Sequence, residues 1–436
     1  MNTRETPGLI STALRDYFYL IRRYPRFLAF GMLHMFYSGP GEVWTVAMFV
    51  PYVCASFGLT AGGFGLLFSA ATIISALCMP LFGPLLDRYN LRAISLAVGL
   101  LMTVSGLIAA SATWLPLMFI GLLGLRLSGQ GLMNQIVGVS TTRFYGAQKG
   151  KALAIVGLGF SIATAVFPIA LALLISHFGW RNAFLVISLS CLVVFIPAAL
   201  ALLKKTDRFQ YPPGKDPDQT GSEPTSWTRK EVLRSPFFYL ALPVMLLTPC
   251  VNTGLIIHLG RIASDKGWTM EWAAACFVVS AVCGRLGPFL IGPVIDRFSA
   301  KRLFPYMLIP YIVGLLVLML STHPVAAPIW LGMSGLAWGI IFLTMSALWA
   351  EVYGVKSLGA ITSMVFSLAV LATALSPALF GWLLDHGFSI DDILLGAIIL
   401  TVVVLILGLL APTPSKRVMP AAETLDKSGC PHGQSV

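Results

Sequence analysis

This chain is short of charge. Its 29 Lys and Arg and 18 Asp and Glu make up 11% of 436 residues, against roughly 25% in soluble domains. That scarcity, with 57% apolar residues and a mean hydropathy of +0.84, excludes an ordinary soluble enzyme, a secreted disulfide scaffold and a disordered protein. Paired cysteine chemistry is missing too. The seven cysteines (54, 78, 191, 250, 276, 283 and 430) are scattered, with no CxxC pair or Cys/His cluster, so neither a disulfide framework nor a zinc site has residues to build it. No P-loop, HExxH helix, nucleophile elbow or dinucleotide fingerprint occurs. ATP-driven pumping and covalent catalysis therefore have no residues to carry them: no enzyme activity, cofactor or metal is expected. The first 26 residues lack the apolar run and cleavage site of a signal peptide.

What is present is apolar sequence in long runs. Twelve membrane crossings of about 20–25 residues need roughly 240–300 residues, close to the whole apolar inventory. Spans are expected at 27–55, 62–86, 92–112, 115–141, 150–176, 182–203, 237–263, 270–295, 302–321, 326–350, 358–384 and 389–411, an all-α membrane protein of twelve transmembrane helices. The polar stretch from Lys204 to Ser235, with Pro212-Pro213-Gly214 and mixed charges, reads as a linker. The organisation is thus an N-terminal segment 1–26, a six-helix bundle 27–203, a linker 204–236, a second six-helix bundle 237–411 and a tail 412–436. Residues 8–25 fit either an amphipathic helix along the membrane surface or a flexible lead-in.

Basic residues set the orientation. Of the 29 Lys and Arg, 24 fall in the N-terminus, the even-numbered loops and the tail, and three (Arg181, Arg261, Lys266) in the opposite loops. This asymmetry places both termini in the cytoplasm and accounts for the net charge of +11 without nucleic acid. The compact loops suggest a bacterial inner membrane.

The chain also repeats itself at an offset of 209 residues: Gly83-Pro84-Leu85-Leu86-Asp87-Arg88 recurs as Gly292-Pro293-Val294-Ile295-Asp296-Arg297, Gly150 maps to Gly359, Pro168 to Pro377 and His177 to His386. Two six-span halves in parallel orientation follow. Transporters so built bind substrate between the halves and rock one against the other.

Twelve spans in two halves, with Gly83-x-x-x-Asp87-Arg88-x-x-x-Arg92 after span two, its weaker copy at Gly292, Asp296, Arg297 and Arg302, and Arg126 before Gly129-Gln130-Gly131 in span four, resemble the major facilitator superfamily. The likeness covers residues 27–411. It departs at Asn90, where the loop motif usually has Gly, and in span five, where the Gly-rich pattern is reduced to Gly157, Gly159 and Pro168. Within that superfamily the chain looks most like the monocarboxylate and oxalate porter branch. Arg285 in Cys283-Gly284-Arg285-Leu286-Gly287 matches the place where those carriers hold the substrate carboxylate. Ala281 stands where mammalian monocarboxylate carriers have Asp. The resemblance also implies a gating role for Asp87, Arg88, Arg92, Asp296 and Arg297; Glu351, at the end of span ten before Tyr353-Gly354, is by its position a candidate for the same network. Carboxylates there can cap helix N-termini and arginines can bond C-terminal carbonyls.

Ionisable groups in hydrocarbon cost several kcal/mol, so each marks a pathway or a partner. Arg126 lies about 11 residues into its span, ~16 Å at 1.5 Å per residue, and Arg285 reaches similar depth. One guanidinium per half suits an anion, which it binds bidentately; pairing with a carboxylate or helix carbonyls is the alternative. His34, Ser38, Glu42 and Thr45 form one polar stripe and Arg126, Gln130, Asn134 and Thr141 another. Glu42 facing Arg126 gives either a proton switch, protonated when an anion competes for the arginine, or a permanent salt bridge. His34 is a further proton-coupling candidate, Asn252 and His258 in span seven are candidate substrate ligands, and Tyr37 and Trp338 are candidates to wall an apolar part of the site.

These residues point to a secondary active transporter that moves a small organic anion, monocarboxylate-like, by alternating access with protons, as a monomer whose other partner is membrane lipid. An exporter or exchanger of another metabolite or drug is the alternative within transport. A non-transporting receptor or scaffold is the alternative outside it.

Overall fold

Apolar runs of more than 20 residues satisfy their own backbone groups only as helices once water is gone, and helices are what they form. The computed structural model describes residues 17–204, 227, 229–354 and 358–411. The N-terminal residues 1–16, the linker 205–226, the tail 412–436 and the side chains of Asp87, Arg88 and Asp296 lie outside the described residues. Among those described, 11 helices are long and apolar enough to cross a membrane. The remaining crossing is the first span, expected as one helix over 27–55 but built of two pieces, Pro25–Tyr37 and Val43–Phe57, joined by a 3-10 turn at Gly39–Gly41. Pro40 explains the break, since it has no N–H to donate and its ring clashes with the carbonyl four residues back.

The other spans are Ala61–Arg88, Leu91–Ser111, Leu115–Tyr145, Lys149–Phe178, Trp180–Leu203, Pro236–Ile257, Met270–Ile295, Ala300–Leu320, Ala326–Tyr353, Leu358–Asp385 and Ile390–Leu409. Two contain π-helical turns, Arg126–Met133 in span four and Cys191–Phe195 in span six. The second is followed at once by Pro197, which cannot supply the ordinary helical donor. Local polar residues fix several starts. Asn90 caps span three by accepting from Arg92 N at 2.7 Å, which gives this departure from the family motif a structural role. Ser389 and Asp392 form a capping box on span twelve.

Packing repeats from one set of six to the other. Span two lies against span four and span eight against span ten; span one against five, and seven against eleven. Small residues make these seams close. A Cβ on Gly339 would stand 2.3 Å from Gly284 O and one on Gly335 2.3 Å from Ser280 O, so spans eight and ten touch backbone to backbone. Across the two sets, span two packs on eleven, five on eight and one on seven. Large apolar side chains such as Phe289 (76% exposed) and Leu77 (67%) remain on the outside, a surface suited to lipid. The protein is an all-α integral membrane protein.

Candidate functional site

The break in span one creates the first polar node. Beyond the turn, Glu42 is extended (ψ 154°), and Thr45 N–H and Val46 N–H both donate to Glu42 O. Gly41 O is left facing span four. Arg126, 1% exposed, donates to it from a terminal guanidinium nitrogen at 2.7 Å and from Nε to Thr72 Oγ1 at 3.1 Å. Its guanidinium carbon also lies 4.6 Å from the centre of the Phe68 ring, a cation–π contact. This approach needs two glycines. A Cβ on Gly41 would meet Leu125 O at 2.3 Å, and one on Gly129 would meet Gly41 Cα at 2.7 Å.

Glu42 is buried beside this node without an ion pair to Arg126 among the described residues. Its Oε1 accepts from Asn134 Nδ2 at 3.4 Å, and Asn134 donates also to Gln130 O at 2.9 Å. The structure therefore brings Glu42, Arg126, Gln130 and Asn134 together, with Gly41 as the bridge between the two charges. Thr45 Oγ1, buried on the same half-helix, has no hydrogen-bond partner. His34 does not join them. Its Nδ1–H donates to Phe30 O at 2.9 Å, leaving Nε2 to accept from Ser95 Oγ at 3.1 Å, in the packed contact with spans three and six. Tyr37 likewise turns to span six, where its hydroxyl donates to Ser190 O at 3.3 Å.

The second node lies between the two sets of helices. Arg285, half-buried in span eight, donates from Nε to Ser161 Oγ and from a terminal nitrogen to Gly157 O, both on span five. Gly157 sits where span five breaks between Lys149–Val156 and Leu158–Phe178. Besides the bond from Arg285, its carbonyl receives a long helical bond, from Ser161 N at 3.4 Å. Among the described residues no carboxylate contacts Arg285. Sequence reasoning did not find Ser161 and Gly157 as its acceptors, because a serine and a backbone carbonyl carry no charge to flag them. On the C-terminal side, His258 Nε2–H donates to Pro377 O at 3.1 Å. Asn252 carries a buried Oδ1 with no partner, and Trp338 is 46% exposed. The two nodes and these residues are not joined by hydrogen bonds among the described residues.

Three of the residues expected to gate have described contacts, each to a partner in its own set of helices. Arg92 donates to Leu203 O, at the C-terminal end of span six, at 2.6 Å. Glu351 accepts from Ser299 Oγ at 2.5 Å and Ala300 N at 3.0 Å, capping the start of span nine. Arg297 lies with its guanidinium carbon 5.4 Å from the Phe298 ring. A contact unforeseen in the sequence joins the two sets: Gly62 N–H donates to Asp385 Oδ2 at 2.9 Å, from the start of span two to the end of span eleven.

Comparison with known proteins adds three findings. The model of the Major Facilitator Superfamily matches residues 27–289. Monocarboxylate transporter 13 of Bos taurus is 26% identical over 344 residues, 78% of this chain and 71% of the relative, and a chloramphenicol resistance protein of Streptomyces lividans is 23% identical over 259 residues, 59% of this chain and 64% of the relative. Among solved structures, a bacterial homologue of the human lysosomal transporter Spinster, inward-facing and unoccupied, superposes with a TM-score of 0.68 at 15% identity over 89% of this chain and 97% of its own.

Proposed function

This chain belongs to the Major Facilitator Superfamily, a transporter and not an enzyme, and on that premise we propose that it moves a small organic anion of the monocarboxylate type, coupled to protons. The observation that carries the anion is Arg285. A guanidinium keeps its charge at any working pH, and here its acceptors in span five are neutral. A net cation stands between the two sets of helices, where substrate binds in transporters of this architecture. A carboxylate offers the same fork two anionic oxygens and stronger, charge-assisted bonds. Likeness to a monocarboxylate transporter over 78% of the chain agrees with that chemistry.

Glu42 supplies the proton. It is buried at the break in span one, one residue from the carbonyl that Arg126 holds, and its only side-chain partner among the described residues is Asn134. Alternating access between cytoplasm and exterior, both termini cytoplasmic and a bacterial inner membrane complete the reading, with Asn252, His258 and Trp338 as secondary substrate contacts.

Uptake into proteoliposomes with an imposed inward proton gradient tests it. Radiolabelled pyruvate, lactate or oxalate should accumulate in the wild type and fall to background with Arg285→Ala. Equal accumulation in both would remove Arg285 from the site. A second reading, export of an uncharged compound, is favoured by the likeness to a chloramphenicol resistance protein. Chloramphenicol efflux from the same vesicles, insensitive to Arg285→Ala, would select it.

A further inference from the structure

We propose that Arg285 is a latch between the two sets of six helices, fastened by Ser161 Oγ and Gly157 O, which the anionic group of the substrate opens by taking the guanidinium away from span five. The opening step rests on the anion reading above; the latch rests on geometry alone.

The acceptors are arranged for this. Gly157 and Ser161 are four residues apart, hence one above the other on the same helix face. They present a carbonyl and a hydroxyl to Nε and a terminal nitrogen of one planar fork. Gly157 is needed twice. At the helix break its carbonyl is only loosely held by Ser161 N, at 3.4 Å, and a Cβ there would crowd the guanidinium nitrogens at 3.1 and 3.3 Å. Arg285 is thus a side chain of one half whose described hydrogen bonds both go to the other half, across the contact between spans five and eight.

Exchange follows from relative strength. Guanidinium bonds to neutral acceptors are weaker than its paired bonds to a carboxylate, so an arriving anion wins the fork and frees span five. Ligand binding and loosening of the inter-half contact become one event. A conformational change needs such a differential interaction between ligand and the two states. A neutral solute of the same shape lacks the oxygens to displace span five and leaves the latch shut. Ser161 and Gly157 are therefore positioning residues that set both the conformational balance and the preference for anions.

The test has a ligand-free arm and a ligand arm, both on the purified full chain in nanodiscs. Spin labels at Phe178→Cys and Glu271→Cys, in a background without native cysteines, report the separation of spans five and eight. Ser161→Ala should add a longer-distance population to the wild-type distribution, Gly157→Ala should do the same by crowding the fork, and Ser161→Thr, which keeps a hydroxyl, should match wild type. In the ligand arm, Ser161→Ala should bind pyruvate about tenfold more tightly, the scale of one lost bond to a charged group, with Ser161→Thr unchanged. An unaltered distance distribution in both alanine variants would overturn the latch. Longer distances with unchanged or weaker pyruvate binding would overturn the exchange. If wild type binds no carboxylate at all, the anion reading and the exchange fall together, and the distance arm still decides the latch.

Discussion

Glu42 and Arg126 meet through a backbone carbonyl rather than face to face, and that detail separates their roles. Arg126 donates to Gly41 O and Thr72 Oγ1 and lies over Phe68, so within this node it closes the broken span. Glu42, with one long bond from Asn134, keeps acceptor capacity for a proton. Substituting Glu42→Gln retains shape and the contact with Asn134 but removes the titrating group. Accumulation against a gradient should then be lost while downhill exchange of preloaded anion persists; pH-driven accumulation at the wild-type level would remove Glu42 from coupling. The spacing of polar residues made this pair legible in the sequence, since Glu42 and Arg126 lie on stripes that had to face protein. The same periodicity misplaced His34. The helix ends at Tyr37 and restarts at Val43, so residues before and after the break do not share a face, and His34 is satisfied by Phe30 and Ser95 instead.

The broken first span and the π-helical stretch of span four fit each other as elements. Gly41 and Gly129 let the two backbones touch, and only that contact brings Gly41 O within reach of Arg126. Ala at position 41 would place a methyl 2.3 Å from Leu125 O. A backbone atom cannot swing aside as a side chain can, so we expect Gly41→Ala to cost about 1–3 kcal/mol. This would show as a lowered melting temperature in detergent, with transport lost in proportion. A wild-type melting temperature would mean that the two spans part freely here. Gly39-Pro40-Gly41 announces a break by composition, yet the surrounding apolar run is long enough to read as one crossing. Hydropathy counts length and cannot see where the chain turns. The acceptors of Arg285 were illegible for a different reason. They are neutral, and they lie more than 120 residues away in sequence, where no local pattern relates them to the arginine.

At the scale of the molecule, the two sets of helices meet backbone to backbone along spans two and eleven, and glycines are again the means. Cβ atoms on Gly62, Gly65 and Gly381 would fall 2.4 Å from Asp385 Oδ2, 2.2 Å from Pro377 O and 2.4 Å from Ala61 O. Asp385 adds a carboxylate at the N-terminal end of span two, bonded to Gly62 N–H, where a negative charge is favoured by the free amides of the first turn. This seam lies at the start of span two and the end of span eleven, the membrane face opposite the N-terminus. A transporter that rocks must part the seam in half of its cycle, so a side chain wedged into it should bias the cycle rather than unfold the protein. Gly65→Leu should hold these ends apart. Cys54, half-buried near the C-terminal end of span one, then gives a readout in the native sequence: its alkylation by a maleimide, followed by mass spectrometry of the purified protein, should speed up while net uptake falls. Asp385→Ala, which removes the bond and leaves the glycines, should accelerate alkylation by less and slow uptake only in part. If Gly65→Leu left both the Cys54 rate and uptake at wild-type values, the seam would be a permanent junction, and the rocking motion would have to turn about it instead of opening it.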